Sequence, residues 1–161
     1  MGGLKSLIEK GRIWIKLSNK ERSLFLQALV LLPLVALLLR LCGLQRTQAV
    51  LMLWTEPTSS EPLKVQVPLI SATAQMVQSA ARYSKLWTNC LKKSLVLWYL
   101  LRCQGILAQL QIGVRLEQGQ FLAHAWVEYQ GFVVGDYQDV PQHYTRLDRL
   151  NVELNRYIGL L

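Results

Sequence analysis

The chain has 161 residues, of which 52% are hydrophobic and 17% charged, with a net charge of +8. This length suits one domain, and this composition can bury a core, which excludes disorder over most of the chain. Three cysteines without a paired spacing exclude a disulfide-stapled secreted module, and their simplest state, reduced, indicates a cytoplasmic protein. With two histidines and no C-x-x-C pair we expect no metal site or cofactor, and the spread positive charge predicts no nucleic-acid partner.

The first predicted element is an almost wholly apolar run, residues 24–39, with Pro33 in its middle and Arg40 at its end. Ser18 and Glu21 have capping-box spacing, which predicts a helix that begins near Asn19. Pro33 predicts two short helices joined there. The run is shorter than the ~20 residues of a membrane-spanning helix, so we expect these helices to dock on the core or a partner. Peripheral membrane contact through the basic residues 1–45 and a full span remain alternatives.

Composition and hydrophobic period divide the rest of the chain into predicted segments. Residues 55–68 are rich in proline, serine and threonine, which predicts a linker between an N-terminal helical region, residues 1–54, and a core, residues 69–161. Residues 71–83 have a helical period, and residues 88–105 predict a core helix that starts at Thr88 and Asn89 and stops at Gly105.

Three predicted strands follow this helix. They cover residues 107–116, 120–129 and 132–137, separated by segments that end in glycine. With three-residue loops, Ile112 lies opposite His124, and His124 lies directly opposite Asp136. A strict two-residue turn at Gln130-Gly131 would instead place His124 and Asp136 on opposite faces of the sheet.

Cysteine catalysis needs a thiolate, a base and a group that orients the base. Cys90 lies in the first turn of the predicted core helix, where unsatisfied amides favour negative charge and could stabilise an oxyanion. Cys103 lies in the last turn, where the helix dipole would raise a thiol pKa, and Cys42 follows the apolar run as a packed thiol or interface residue. Cys90 is therefore the candidate nucleophile, although a buried structural cysteine is the alternative.

His124 is the candidate base, because it lies mid-strand between two alanines and faces a carboxylate in the first of the two registers. A carboxylate opposite the ring fixes its tautomer and supports the imidazolium. Asp136 is the candidate orienting group and Asp139 the reserve. His143, after Pro141, has no comparable partner.

The segments TNCLKKSLVLWYLLRCQGI and LQIGVRLEQGQFLAHAWVEYQGFVVGD resemble the leader peptidase of lasso peptide biosynthesis. That family belongs to the transglutaminase-like superfamily of papain-type cysteine proteases. The resemblance covers residues 70–140, and it implies an α+β fold: N-terminal apolar helices, then a transglutaminase-like core whose cysteine helix packs on an antiparallel β-sheet. It also implies that Cys90, His124 and Asp136 form the catalytic triad.

By this resemblance, the protein cleaves the leader peptide from a ribosomally made lasso precursor, before an ATP-dependent lasso cyclase closes the macrolactam ring. The chain is expected to be the split form, whose leader-recognition protein is a separate partner. Two other hypotheses stay open. One is an inactive scaffold with the same fold, and the other is a membrane-surface interaction protein that acts through residues 1–45.

Overall fold

A computed structural model of the protein describes residues 17–55, 63–84 and 87–148. Its helices are α1 (Asn19–Met52), α2 (Leu63–Tyr83), α3 (Cys90–Cys103) and α4 (Val140–His143). Its strands are β1 (Gln109–Glu117), β2 (Gln120–Tyr129), β3 (Phe132–Val134) and β4 (Thr145–Arg146).

Helix α1 begins at the predicted capping box. The Ser18 hydroxyl accepts from the backbone N–H of Glu21 at 3.3 Å, and the Glu21 carboxylate accepts from the backbone N–H of Ser18 at 2.7 Å. The predicted joint at Pro33 is wrong, because the helix continues through Pro33 and breaks at Gly43 instead. Leu32 and Val35 on either side are fully buried, so packing holds the helix across the missing N–H. Gly43 has φ +74°, a backbone conformation that glycine adopts most readily.

The three long helices share one core. Buried residues of α1 (Ala28, Leu32, Val35), α2 (Val77, Ala80) and α3 (Leu95, Leu101) form a single apolar cluster. Helix α2 begins at Leu63, inside the segment predicted as a linker, residues 55–68. Within that segment Gln66 is buried, and its side-chain oxygen accepts a hydrogen bond from the Tyr129 hydroxyl. Gln66 therefore ties the start of α2 to the sheet.

The sheet has four antiparallel strands in the order β3-β2-β1-β4. The predicted three-residue loops are wrong, because Glu117 pairs with Gln120 and Tyr129 pairs with Phe132 across two-residue turns. Both residues of each turn have positive φ, which is the geometry of type I′ hairpins. His124 consequently pairs with Gly113 rather than Ile112, and β3 stops at Val134, before Asp136.

The helices cover one face of this sheet. The Ser94 hydroxyl of α3 donates to the carbonyl oxygen of Ala125 on β2 at 2.8 Å, and Val127 joins the helical core. Because side chains alternate along a strand, His124 and Trp126 point to the other face. There Trp126 packs with Val133, Val140 and Tyr144 in a second cluster. The fold is therefore α+β, with the cysteine helix packed on an antiparallel sheet as predicted.

Candidate active site

Cys90 is the first residue of α3. The helix is capped by Asn89, whose side-chain oxygen accepts from the backbone N–H of Lys92 at 3.0 Å. The amides of Cys90 and Leu91 belong to the first turn, whose N–H groups have no acceptor within the helix. The Cys90 side chain is half-buried, so it is partly open to solvent. This position suits a thiolate and an oxyanion formed beside it.

His124 and Asp136 are in direct contact, as predicted. The His124 Nε2 atom lies 2.9 Å from Asp136 Oδ2, and the two side chains are only 21% and 15% exposed. The route to this contact differs from the prediction of a Gly131 bulge. Gly135 follows the last residue of β3 with φ +72°, so the chain leaves the strand there and brings Asp136 to the His124 side of the sheet.

Two side-chain amides hold the loop that carries Asp136. Gln78 of α2 donates from Nε2 to the carbonyl oxygen of Gly135 at 2.7 Å. Gln138 accepts from the backbone N–H of Val133 at 3.1 Å and donates to its carbonyl oxygen at 2.6 Å. The loop is thereby tied on both sides of Asp136, and the second carboxylate oxygen accepts from the backbone N–H of Tyr137 at 3.0 Å.

Gly135 also packs too closely for a side chain. A Cβ at this position would lie 3.0 Å from a methyl group of Leu97 and 3.4 Å from Ala74. The loop therefore contacts both α2 and α3; the positive φ favours glycine here, and an added Cβ would also press on the Leu97 side chain.

Aromatic rings cover His124 on its own face of the sheet. Its ring centroid lies 5.2 Å from that of Tyr144 and 6.2 Å from that of Trp126. Gly113, directly across from His124, permits this packing, since a Cβ there would lie 2.9 Å from both Trp126 and Tyr144. Glu128 accepts from Trp126 Nε1 at 2.7 Å and from Arg146 at 2.6 Å, which fixes the indole next to His124.

The reserve candidates form a separate pair. His143 Nε2 lies 3.2 Å from Asp139 Oδ2, and both side chains are more than half exposed. Asp139 is therefore engaged by His143 rather than by His124. The expectation that His143 has no comparable partner is therefore wrong, and Asp136 rather than the reserve Asp139 is the partner of His124.

The remaining cysteines differ from Cys90 in their surroundings. Desolvation raises the pKa of Cys103, partly offset by a hydrogen bond with Tyr99. The direction agrees with the sequence argument, although the cause is desolvation rather than the helix dipole. Cys42, predicted to be a packed thiol or an interface residue, is exposed and therefore not packed in the core.

The helix that Cys90 begins contacts both the strand of His124 and the loop of Asp136. Ser94, one turn after Cys90, bonds the carbonyl next to His124, and Lys93 lines a cavity of about 450 Å³ together with Asp136 and Gln78. In the described part of the chain no hydrogen bond joins the Cys90 sulfur to His124. The structure thus joins the predicted base to its orienting carboxylate, and it places Cys90 at the start of the helix that packs on the strand of that base.

Among residues 17–55, 63–84 and 87–148 there is no group of three His, Cys, Asp or Glu side chains that could hold a metal ion. The sequence pattern did not point to five residues that support the site: Gln78, Gln138, Gly113, Gly135 and Tyr144. Gly113 and Gly135 could have been recognised from the sequence, because each lies in or beside a strand, where glycine often marks the close approach of another part of the chain.

Comparison with known proteins gives one match. The family model described as the transglutaminase-like superfamily matches residues 28–149, which includes most of α1 and all three candidate catalytic residues. No curated protein and no solved structure matches. The matched span crosses the predicted boundary at residue 54, in keeping with the packing of α1 in the same core as α2 and α3. By the extent of this match, the chain belongs to the transglutaminase-like superfamily.

Proposed function

We propose that this protein is a cysteine peptidase that removes the leader peptide from a ribosomally made lasso peptide precursor. The observation that carries the proposal is the shielded 2.9 Å contact between His124 and Asp136 beside the helix that Cys90 begins. Membership of the superfamily is compatible with cysteine peptidase activity, and the sequence resemblance over residues 70–140 supports the lasso precursor as substrate.

The proposed mechanism follows from the atoms of the site. With its Nε2–H donated to Asp136, His124 has Nδ1 available to accept the proton of the Cys90 thiol. The thiolate attacks the scissile carbonyl, and first-turn amides of α3 stabilise the oxyanion. The imidazolium then protonates the leaving amine, which is the new N-terminus of the core peptide. Water, deprotonated by His124, hydrolyses the thioester and releases the leader with a free carboxylate.

This mechanism requires the thiol and the imidazole to come within hydrogen-bond reach when substrate binds. Catalytic hydrogen bonds are often long in unliganded enzymes and shorten in the substrate complex. The separate leader-recognition protein and the ATP-dependent cyclase enter as proposed partners: the first presents the precursor, and the second consumes its freed amine.

The test is leader release from a lasso precursor, measured by mass spectrometry with and without the leader-recognition protein. We expect Cys90→Ala to abolish release and Cys42→Ala and Cys103→Ala to retain it, because only Cys90 has a helix N-terminal environment. Release by the Cys90→Ala protein would exclude the thiol mechanism. If the wild-type protein never releases leader and Cys90 reacts with iodoacetamide no faster than Cys103, the inactive-scaffold hypothesis is correct.

A second candidate role, contact with a membrane surface, rests on the outer face of α1. Helix α1 is long and apolar enough to cross a membrane, a property shared by core helices of soluble proteins. Its inner face is buried in the core, while an outer stripe lies in solvent. This α1 stripe consists of Leu26, Val30, Leu34, Leu37 and Leu41, which are 44–70% exposed. Because the inner face is occupied by the core, we propose that the stripe lies on a bilayer surface and does not span it.

A further inference from the structure

A groove runs between α2 and the edge strand β3. It has a volume of about 490 Å³, and its lining is mostly apolar. One wall is a single stripe of α2 that contains Val67, Ile70, Ala74 and Gln78, and the other wall is the β2–β3 hairpin from Tyr129 to Gly135. This volume is in the range of protein ligand sites.

The groove ends at the candidate active site. Gln78 and Gly135 line both the groove and the cavity that contains Asp136. From Val67 to Gln78 the α2 wall is about 16 Å long, given the rise of an α-helix. An extended peptide advances about 3.3 Å per residue, so the groove has the length of about five residues.

The walls favour recognition of side chains over pairing of main chains. Val133 is the residue of β3 that pairs with Glu128 without hydrogen bonds to it, so its N–H and C=O point away from β2. The Gln138 amide already bonds both of these groups. A peptide in the groove would therefore gain contact with apolar walls, including Phe132, which is 67% exposed at the rim.

We infer that this groove binds an extended, apolar segment of the peptide substrate and delivers the adjoining bond to Cys90. The inference rests on the proposed function, since it names the part of the precursor that the same site recognises. Alternate residues of the bound segment face the α2 wall, and these are the apolar ones.

The test measures binding without turnover, on the full-length Cys90→Ala protein. Two fluorescein-labelled probes are compared by anisotropy, Gly-Leu-Ser-Leu-Ser-Leu and Gly-Asn-Ser-Asn-Ser-Asn. We expect the leucine probe to bind about tenfold or more tightly than the asparagine probe, since each buried leucine favours binding. Equal affinities would overturn the inference.

Matched variants locate the binding site. Ser71 is an exposed residue of α2 that lines the groove, so Ser71→Trp should fill it and weaken the leucine probe about tenfold, whereas Ser23→Trp, on exposed α1 surface, should not. Phe132→Ala should weaken the probe and Phe121→Ala, which removes a ring 78% exposed at the start of β2, should not. If circular dichroism shows that Ser71→Trp does not fold, Phe132→Ala and Phe121→Ala become the deciding pair of variants. Equal effects within the deciding pair would contradict the inference.

The binding result is separable from the proposed function. If the leucine probe binds in the groove but the wild-type protein releases no leader, the peptidase proposal fails and the groove stands. If leader is released while the deciding pair shows no difference, the groove inference fails and the peptidase proposal stands.

Discussion

The side-chain amide of Gln78 bonds the carbonyl oxygen of Gly135 at 2.7 Å, one residue before the carboxylate that contacts His124. This bond ties helix α2 to the loop that places Asp136, across 57 residues of chain. Gln78 touches neither His124 nor Asp136 by hydrogen bond in the described residues, so its role is positional.

We expect Gln78→Leu to lower kcat for leader release about tenfold or more, because the Asp136 loop loses its tie to α2. Gln27→Leu is the matched control, since Gln27 lies on the exposed surface of α1 outside the groove and donates to the Ser23 hydroxyl of the same helix. Gln78→Glu, which cannot donate to the carbonyl, should resemble Gln78→Leu. Normal kcat in both Gln78 variants would show that the loop holds Asp136 without this bond.

The carboxylate that orients His124 gives a second prediction. Asp136→Asn should lower turnover about 10²–10⁴-fold, by analogy with a triad whose histidine is held in the wrong tautomer. Asp139→Asn should leave turnover near the wild-type value, because Asp139 contacts the exposed His143. Steady-state kinetics on both variants checks this. A larger loss in Asp139→Asn would reverse the assignment.

The capping box of α1 predicts a pH-dependent stability. The backbone N–H of Ser18, and then its hydroxyl, hold the pKa of Glu21 below its ordinary value of 4.5. A lowered folded-state pKa means that the stabilisation is present above the unfolded-state pKa and is lost as the pH falls through the folded-state pKa. Glu21→Ala should therefore lower the unfolding midpoint at pH 7, and this effect should shrink as the pH is lowered towards 3.

Thermal unfolding of the wild-type, Ser18→Ala, Glu21→Ala and doubly substituted proteins across this range measures the coupling. At pH 7 the double substitution should lower the unfolding midpoint by less than the sum of the two single effects, because both substitutions break the same capping box. An effect of Glu21→Ala that is the same at pH 3 and pH 7 would contradict the prediction.

The α1 stripe predicts binding to anionic lipid. Residues 22–55 contain Arg22, Arg40 and Arg46 and no acidic residue, so this surface is attracted to anionic headgroups while its leucines enter the interface. The protein should float with phosphatidylglycerol-containing vesicles and less with phosphatidylcholine alone. Val30→Glu with Leu37→Glu, at exposed positions, should abolish flotation, and Phe121→Glu should not.

Three outcomes would count against this surface role. Resistance of the bound protein to alkaline wash would indicate a spanning helix. Loss of a dimer in the stripe variant would indicate a second copy of the chain on the stripe. Equal flotation of the stripe variant and the wild-type would place the lipid contact elsewhere.

The features that the sequence by itself determined are those made by neighbours along the chain. The start of α1 follows from Ser18 and Glu21, three residues apart, and the start of α3 beside Cys90 follows from the cap at Asn89. The pairing of β1 with β2 and of β2 with β3 likewise follows from short glycine-containing turns, whereas β4 and its pairing with β1 were not predicted. Such contacts form within a few residues, so composition and spacing are sufficient to predict them.

Only the tertiary structure decided how these elements meet. Type I′ turns shift each strand pair by one residue from the predicted register. This shift by itself would place His124 and Asp136 on opposite faces of the sheet. The contact forms because the chain leaves the strand at Gly135. Pro33 stays helical because the core buries the residues around it, and Asp136 is held by Gln78 from a helix far along the chain. These outcomes depend on packing and hydrogen bonds between distant residues, whose free energies the local sequence pattern does not contain.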